Sequence, residues 1–133
     1  MSSMTEVKTS ELKGRALDWA VARAEGWDVK ITQHGFQHDF KIDLRCTKPR
    51  ETLGYNWAPS TAWSQGGPLI QKYNIAVCPR IEGDEGDGWL WLAGTGRHLL
   101  DGMTVLVAAC RAIVAVKFGD TVQVPAVLVE SAA

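Results

Sequence analysis

The sequence predicts a single α+β domain: a mainly antiparallel sheet with two longer helices, about 10–25 and 102–118, packed on it. Two segments near the ends repeat apolar residues at helical spacing, and much of the text between them alternates with a period of two. A chain of 133 residues with 46% hydrophobic content can bury one core but is too short for two ordinary domains. The domain is therefore expected to span 1–133, with 1–7 and 130–133 as flexible ends.

The first helix is read from "SELKGRALDWAVARAE". Leu12, Ala16, Trp19, Ala20 and Arg23 recur at three- and four-residue steps, Ser10 is the N-cap and Gly26 the stop. Gly14 would cost about 1 kcal/mol relative to alanine inside a helix, so a close packing contact is expected there. In "WDVKITQ" and "HDFKIDLRC", Phe40, Ile42, Leu44 and Cys46 alternate with charged residues, which predicts a hairpin around Gly35. "TKPRETLG" is a turn-rich connection. In "NWAPSTAWSQGGPLI", proline after two glycines predicts a short helix over about 68–73. Its free N–H groups would face Ser60, Thr61 and Gln65. "YNIAVCPRI" reads as a strand cut short by Pro79, and "GWLWLAG" as another, joined by the acidic loop 82–87.

The second long helix, "DGMTVLVAACRAIVAVKFGD", takes Asp101 as N-cap, Lys117 in its last turn and Gly119 as stop. It is apolar on nearly every side between Met103 and Val116, the pattern of a buried helix. Thr104 and Arg111 interrupt it and share a stripe with Ala108 and Ala115. The tail "TVQVPAVLVESAA" adds a strand and a short turn. A helix this apolar is covered either by its own chain or by a second copy, and the reading leans to a homo-oligomer.

Composition narrows the function. With 14 Lys and Arg against 15 Asp and Glu there is no positive field to hold a polyanion, which disfavours nucleic acid as a partner. No apolar stretch is long enough for a membrane span and "MSSMTEVKTSELKGR" lacks signal-peptide character, so a cytoplasmic protein is expected. Cys46, Cys78 and Cys110 match no zinc or redox spacing and read as thiols. His34 and His38 present no metal-binding face, the acidic loop lacks calcium-ligand spacing, and "GTGRH" is not a dinucleotide fingerprint. Neither metal nor cofactor is expected. No nucleophile stands beside a base, so no catalytic residue is assigned and the protein is expected not to be an enzyme.

The candidate site is a ligand pocket made of Trp57, Ser60, Thr61, Trp63, Gln65, Gly66, Gly67 and Arg111. Arg111 needs acceptors wherever the helix places it, since a guanidinium does not escape burial by deprotonation. It either pairs internally, with Asp18, Asp101 or loop carbonyls, or clamps a carboxylate or phosphate. Trp57, Trp63, Trp89 and Trp91 either pack the core or stack on a planar ligand. Ser60 and Thr61 either cap a turn or touch that ligand.

The blocks "KTSELKGRALDWAVARAEG", "PSTAWSQGGPLI" and "AACRAIVAVKFGDTVQVP" resemble the small phage NinX-like family in content and order. The resemblance carries over Trp19, Pro59, Ser60, Thr61, Trp63, Gly66, Gly67, Pro68, Arg111 and Gly119. At Ala62 the chain departs from the family, where an acidic residue is common, so no scheme with a carboxylate there applies. The resemblance implies an accessory protein of a tailed phage or prophage, located in the host cytoplasm. With the site residues, the expected function is non-enzymatic binding of a small anionic, nucleotide-like molecule, such as a sequestered host-defence signal. The alternative is a protein–protein adaptor on host or phage replication and recombination machinery, using tryptophan and arginine as hot spots.

Overall fold

The computed structural model describes residues 3–34, 41–47, 55–79, 90–96 and 98–130. The element order is β1 (Met4–Lys8), a 3-10 turn (Thr9–Glu11), α1 (Gly14–Ala24), β2 (Asp28–His34), β3 (Lys41–Thr47), β4 (Tyr55–Asn56), α2 (Trp63–Lys72), β5 (Ala76–Pro79), β6 (Trp91–Thr95), β7 (His98–Gly102), α3 (Val105–Phe118), β8 (Thr121–Pro125) and α4 (Ala126–Glu130). Every strand pairing is antiparallel, and the class is α+β as predicted. Among the described residues the strands form three small sheets instead of one: β1–β8, β2–β3–β4 and β5–β6–β7.

The core lies around α1 and α3. Leu106, Ala108, Ala109, Cys110, Ala112, Ile113, Val114 and Ala115 of α3 are all buried, against α1, α2, the β6–β7 hairpin and β8. Full burial of a side chain such as Ile113 stabilises the fold by roughly 1.5–3 kcal/mol. The apolar helix is thus covered by its own chain, which removes the argument that led to a homo-oligomer. Its start is one turn later than predicted. Thr104 is the N-cap, its Oγ1 accepting from the Val107 N–H at 3.1 Å, while Asp101 belongs to β7 and pairs with Leu92. Gly102 lets β7 approach α3, because a Cβ there would lie 2.6 Å from the Ala108 nitrogen.

The first helix also starts later than predicted. Ser10 lies in the 3-10 turn, and Gly14 opens α1 with φ +60°, a left-handed conformation that disfavours other residues. The glycine therefore serves the helix start and not an interior packing contact. Gly26 and Gly119 end their helices with positive φ, as expected. Met4–Val7, within the 1–7 end expected to be flexible, form β1 together with Lys8, and this strand is paired along the whole of β8.

The hairpin of β2 and β3 has the predicted pairing, with Val29 opposite Cys46 and Ile31 opposite Leu44. Pro79 ends β5, an edge strand where its missing N–H is tolerated. Tyr73 and Asn74, predicted to open that strand, instead finish α2, with Asn74 at φ +53°. Trp89, Gly35, His38 and the acidic loop lie outside the described residues.

Candidate functional site

The helix predicted over 68–73 is in fact α2, which begins at Trp63 and carries Pro68 inside it. An internal proline forfeits one hydrogen bond and crowds the residue before it. Gly67 supplies the bare backbone that relieves this crowding. Gly66 serves another contact: a Cβ there would overlap the Pro59 carbonyl oxygen and lie 2.8 Å from Leu106 Cδ2. The Gly-Gly-Pro run thus packs the first turns of α2 onto its own leading loop and onto α3. The N–H groups predicted to be free at Pro68 lie within the helix, and its open end is at Trp63.

The loop 57–62 is fixed from several directions. The Trp57 N–H donates to the Leu44 carbonyl at 3.0 Å, and the Trp57 Nε1–H to the Asp18 carbonyl at 2.9 Å. Trp57 is 3% exposed and meets Trp27 edge-on, with ring centroids 4.8 Å apart. Gln65 reaches back from α2: Oε1 accepts from the Ala58 N–H at 2.7 Å, and Nε2 donates to the Asn56 carbonyl at 2.6 Å. The Ser60 N–H donates to Asp18 Oδ1 at 2.9 Å, and the Ser60 side chain hydrogen-bonds the same carboxylate. The stretch from Asn56 to Ser60 is a packed corner.

From Ser60 onward the loop becomes a wall. A hollow of about 350 Å³ is lined by Ser60, Thr61 and Trp63, by Trp91 of β6, and by Met103, Thr104, Val105 and Leu106 at the start of α3. The starts of two helices meet there. Ala62 caps α2 with no side-chain hydrogen bond, and among the described residues the N–H groups of Trp63, Ser64, Val105 and Leu106 have no acceptor. Such N–H groups carry partial positive charge from the helix dipole. Trp63 is 59% exposed and Met103 78%, so the rim is apolar as well as open.

Of the eight predicted site residues, the hollow brings together Ser60, Thr61 and Trp63. Trp57 and Gln65 hold the corner behind it, Gly66 packs beneath it against Leu106, and Gly67 lies where an added Cβ would meet Trp63 Cε3 at 3.6 Å. Arg111 does not line it. Arg111 Nε donates to the Leu12 carbonyl and Nη1 to the Asp101 carbonyl, both at 2.7 Å, with Asp101 Oδ1 3.9 Å away. Burial works against its charge and Asp101 works for it. Arg111 joins the segment before α1 to β7, the internal alternative of its two readings.

Asp18, expected only as one of the alternative partners of Arg111, instead accepts from Ser60. Its carboxyl is buried, with Arg15 Nη1 3.9 Å away, and desolvation pushes it up to about 6 despite the Ser60 hydrogen bonds and Arg15. The signal was available: an acid bracketed by Leu17, Ala20, Val21 and Ala22 on a helix needs donors from elsewhere. Thr104 and Met103 were read as parts of a helix and not as a rim. Among the described residues no cluster of His, Cys, Asp or Glu could hold a metal, and no helix is long and apolar enough to cross a membrane.

The model of one protein family, described as bacteriophage P22 NinX, matches residues 8–117. That span contains every residue lining the hollow and everything that fixes its corner. No curated protein matches the chain.

Proposed function

The chain belongs to the NinX family of bacteriophage P22, and from that premise we propose a phage accessory protein that binds a small anionic, nucleotide-like molecule without catalysing a reaction. The observation that carries the reading is the meeting of two helix starts at one hollow, that of α2 without a side-chain cap and that of α3 capped by Thr104, with Trp63 and Trp91 in its wall. Helix N–H groups accept anionic oxygens without a side-chain charge. Tryptophan faces take a planar base. Its volume of about 350 Å³ lies at the lower end of small-molecule sites. The binding set is Ser60, Thr61, Trp63, Trp91 and Thr104, without Trp57, Gln65 or Arg111, which hydrogen-bond within the fold and do not line the hollow. For a phage protein, tight binding alone would suffice to sequester a host signal.

Native mass spectrometry of freshly purified protein tests this, followed by thermal denaturation with a panel of mono- and dinucleotides. A retained mass that disappears on denaturation is expected. Saturation at one hundred times Kd should stabilise the fold by about 2.7 kcal/mol, and Trp63→Ala should abolish the gain. A clean apo mass together with no rise in Tm at millimolar nucleotide would sink the proposal. The exposed Trp63 and Met103 favour the adaptor as second reading, since an open aromatic rim also suits a protein partner. In that case a protein would protect Trp63 while no nucleotide did.

A further inference from the structure

The hollow has a buried acid directly behind its wall. Ser60 belongs both to the lining and to the hydrogen-bonded unit of Asp18: its N–H donates to Asp18 Oδ1 at 2.9 Å, and its side chain bonds the same carboxylate. The backbone carbonyl of Asp18 also receives the Trp57 Nε1–H at 2.9 Å. One residue of α1 therefore sets both ends of the corner that continues into the wall.

The neighbours of the carboxylate leave its charge poorly compensated. On its own helix, Arg15 lies 3.9 Å away, but its side chain is 39% exposed and partly screened by water. On α3, Cys110 is buried, and desolvation with the Asp18 charge pushes its thiol up, so it stays neutral. From the loop, among the described residues, come the Ser60 N–H and side chain, while the Trp57 Nε1–H goes to the backbone carbonyl and not to the carboxylate. A charge at Asp18 would repel an anion on the other side of Ser60, and the neutral carboxyl would not.

We propose that Asp18 is the positioning residue of the hollow, and that an anion entering it while Asp18 is charged is accompanied by uptake of up to one proton there. The linkage rests on the ligand reading above, whereas the positioning role does not. Its sign is set by repulsion: the anion binds more tightly when Asp18 is neutral, so affinity falls as pH rises. Desolvation already holds the carboxyl up at about 6, which puts the change within reach of ordinary buffers.

The test uses a probe of constant charge. Calorimetry with 3′,5′-cyclic AMP, a monoanionic phosphodiester throughout, is run at pH 5 and pH 7.5 on the wild type and Asp18→Asn, with uncharged adenosine in parallel. Wild-type affinity for the cyclic nucleotide should fall about five- to thirty-fold across that interval, with Asp18→Asn keeping the tighter value at both. Equal affinities at the two pH values, a variant that follows the wild type, or a matching fall for adenosine would overturn the linkage. Should neither probe bind at millimolar concentration, the ligand reading and the linkage fall together. Positioning is then read without ligand: the Ser60 amide resonance should move through one transition near pH 6 in the wild type, following Asp18, and not in Asp18→Asn. A Ser60 amide that does not titrate would overturn the positioning role.

Discussion

Replacing Asp18 by asparagine should stabilise the free protein at neutral pH and leave it nearly unchanged in mild acid. Burial raises the carboxyl from 3.8 to about 6, outweighing the Ser60 hydrogen bonds and the Arg15 charge, which lower it. A difference of about two pH units between unfolded and folded chain corresponds to roughly 3 kcal/mol, at 1.36 kcal/mol per unit. Because the folded value is the higher one, the favourable contribution is complete below pH 3.8 and is lost as pH rises through about 6. Asparagine does not ionise. Its carbonyl oxygen still accepts the Ser60 N–H, and its amide can donate to the Ser60 hydroxyl. Thermal and urea denaturation of both proteins at pH 4, 5.5 and 7.5 should show the two converging at the acid end. At pH 7.5 the variant should lead by up to about 3 kcal/mol, roughly 10 °C in Tm. Taking the difference between the proteins at each pH cancels the other carboxylates. A variant less stable at pH 7.5, by a margin that grows as pH rises, would show that the buried charge is favourable where it stands, and a margin that stays constant with pH would show that its ionisation does not matter; either would refute the reasoning.

Arg111→Met should cost about 2–4 kcal/mol in urea denaturation, because the Leu12 and Asp101 carbonyls lose their donors together. Arg111→Lys should recover only part of this, since one ammonium does not reproduce the planar fork; wild-type stability in the methionine variant would disprove the internal role. Gly66→Ala should destabilise by about 1–3 kcal/mol through overpacking against Pro59 and Leu106. Gly67→Ala should be milder, because its new Cβ meets only Trp63 Cε3 at 3.6 Å. Equal losses would show that the residue before Pro68, and not the contact with Pro59, sets the demand for glycine.

Local chemistry made much of the fold legible. The period of two in Leu44 and its neighbours gave the β2–β3 pairing, and the unbroken apolar run of α3 gave a buried helix. Gly26 and Gly119 marked helix ends because positive φ at such a position selects glycine on local grounds. The starts were harder. Asp101 and Thr104 are both good N-caps in isolation, and pairing of Asp101 with Leu92 draws the first into β7. Gly-Gly-Pro depresses helix propensity and so points away from a helix that starts at Trp63, whereas the closeness of Pro59 and Leu106 requires glycine at Gly66 inside α2.

Within the candidate site, the same division holds. Residue types alone placed Ser60, Thr61 and Trp63 together, three neighbours on one short stretch that also line one hollow. They did not separate these from Trp57 and Gln65, whose polar groups turn inward, nor show that Arg111 faces Leu12. The sequence by itself determined the family, the α+β class, the two long helices and the need of Arg111 for acceptors, because each follows from residues near one another in the chain. Only the tertiary structure decided where Arg111 points, that Asp18 stands behind Ser60, and that the starts of α2 and α3 share one opening. Those are contacts across tens of residues, and the packing of a common core selects them where local preference is silent.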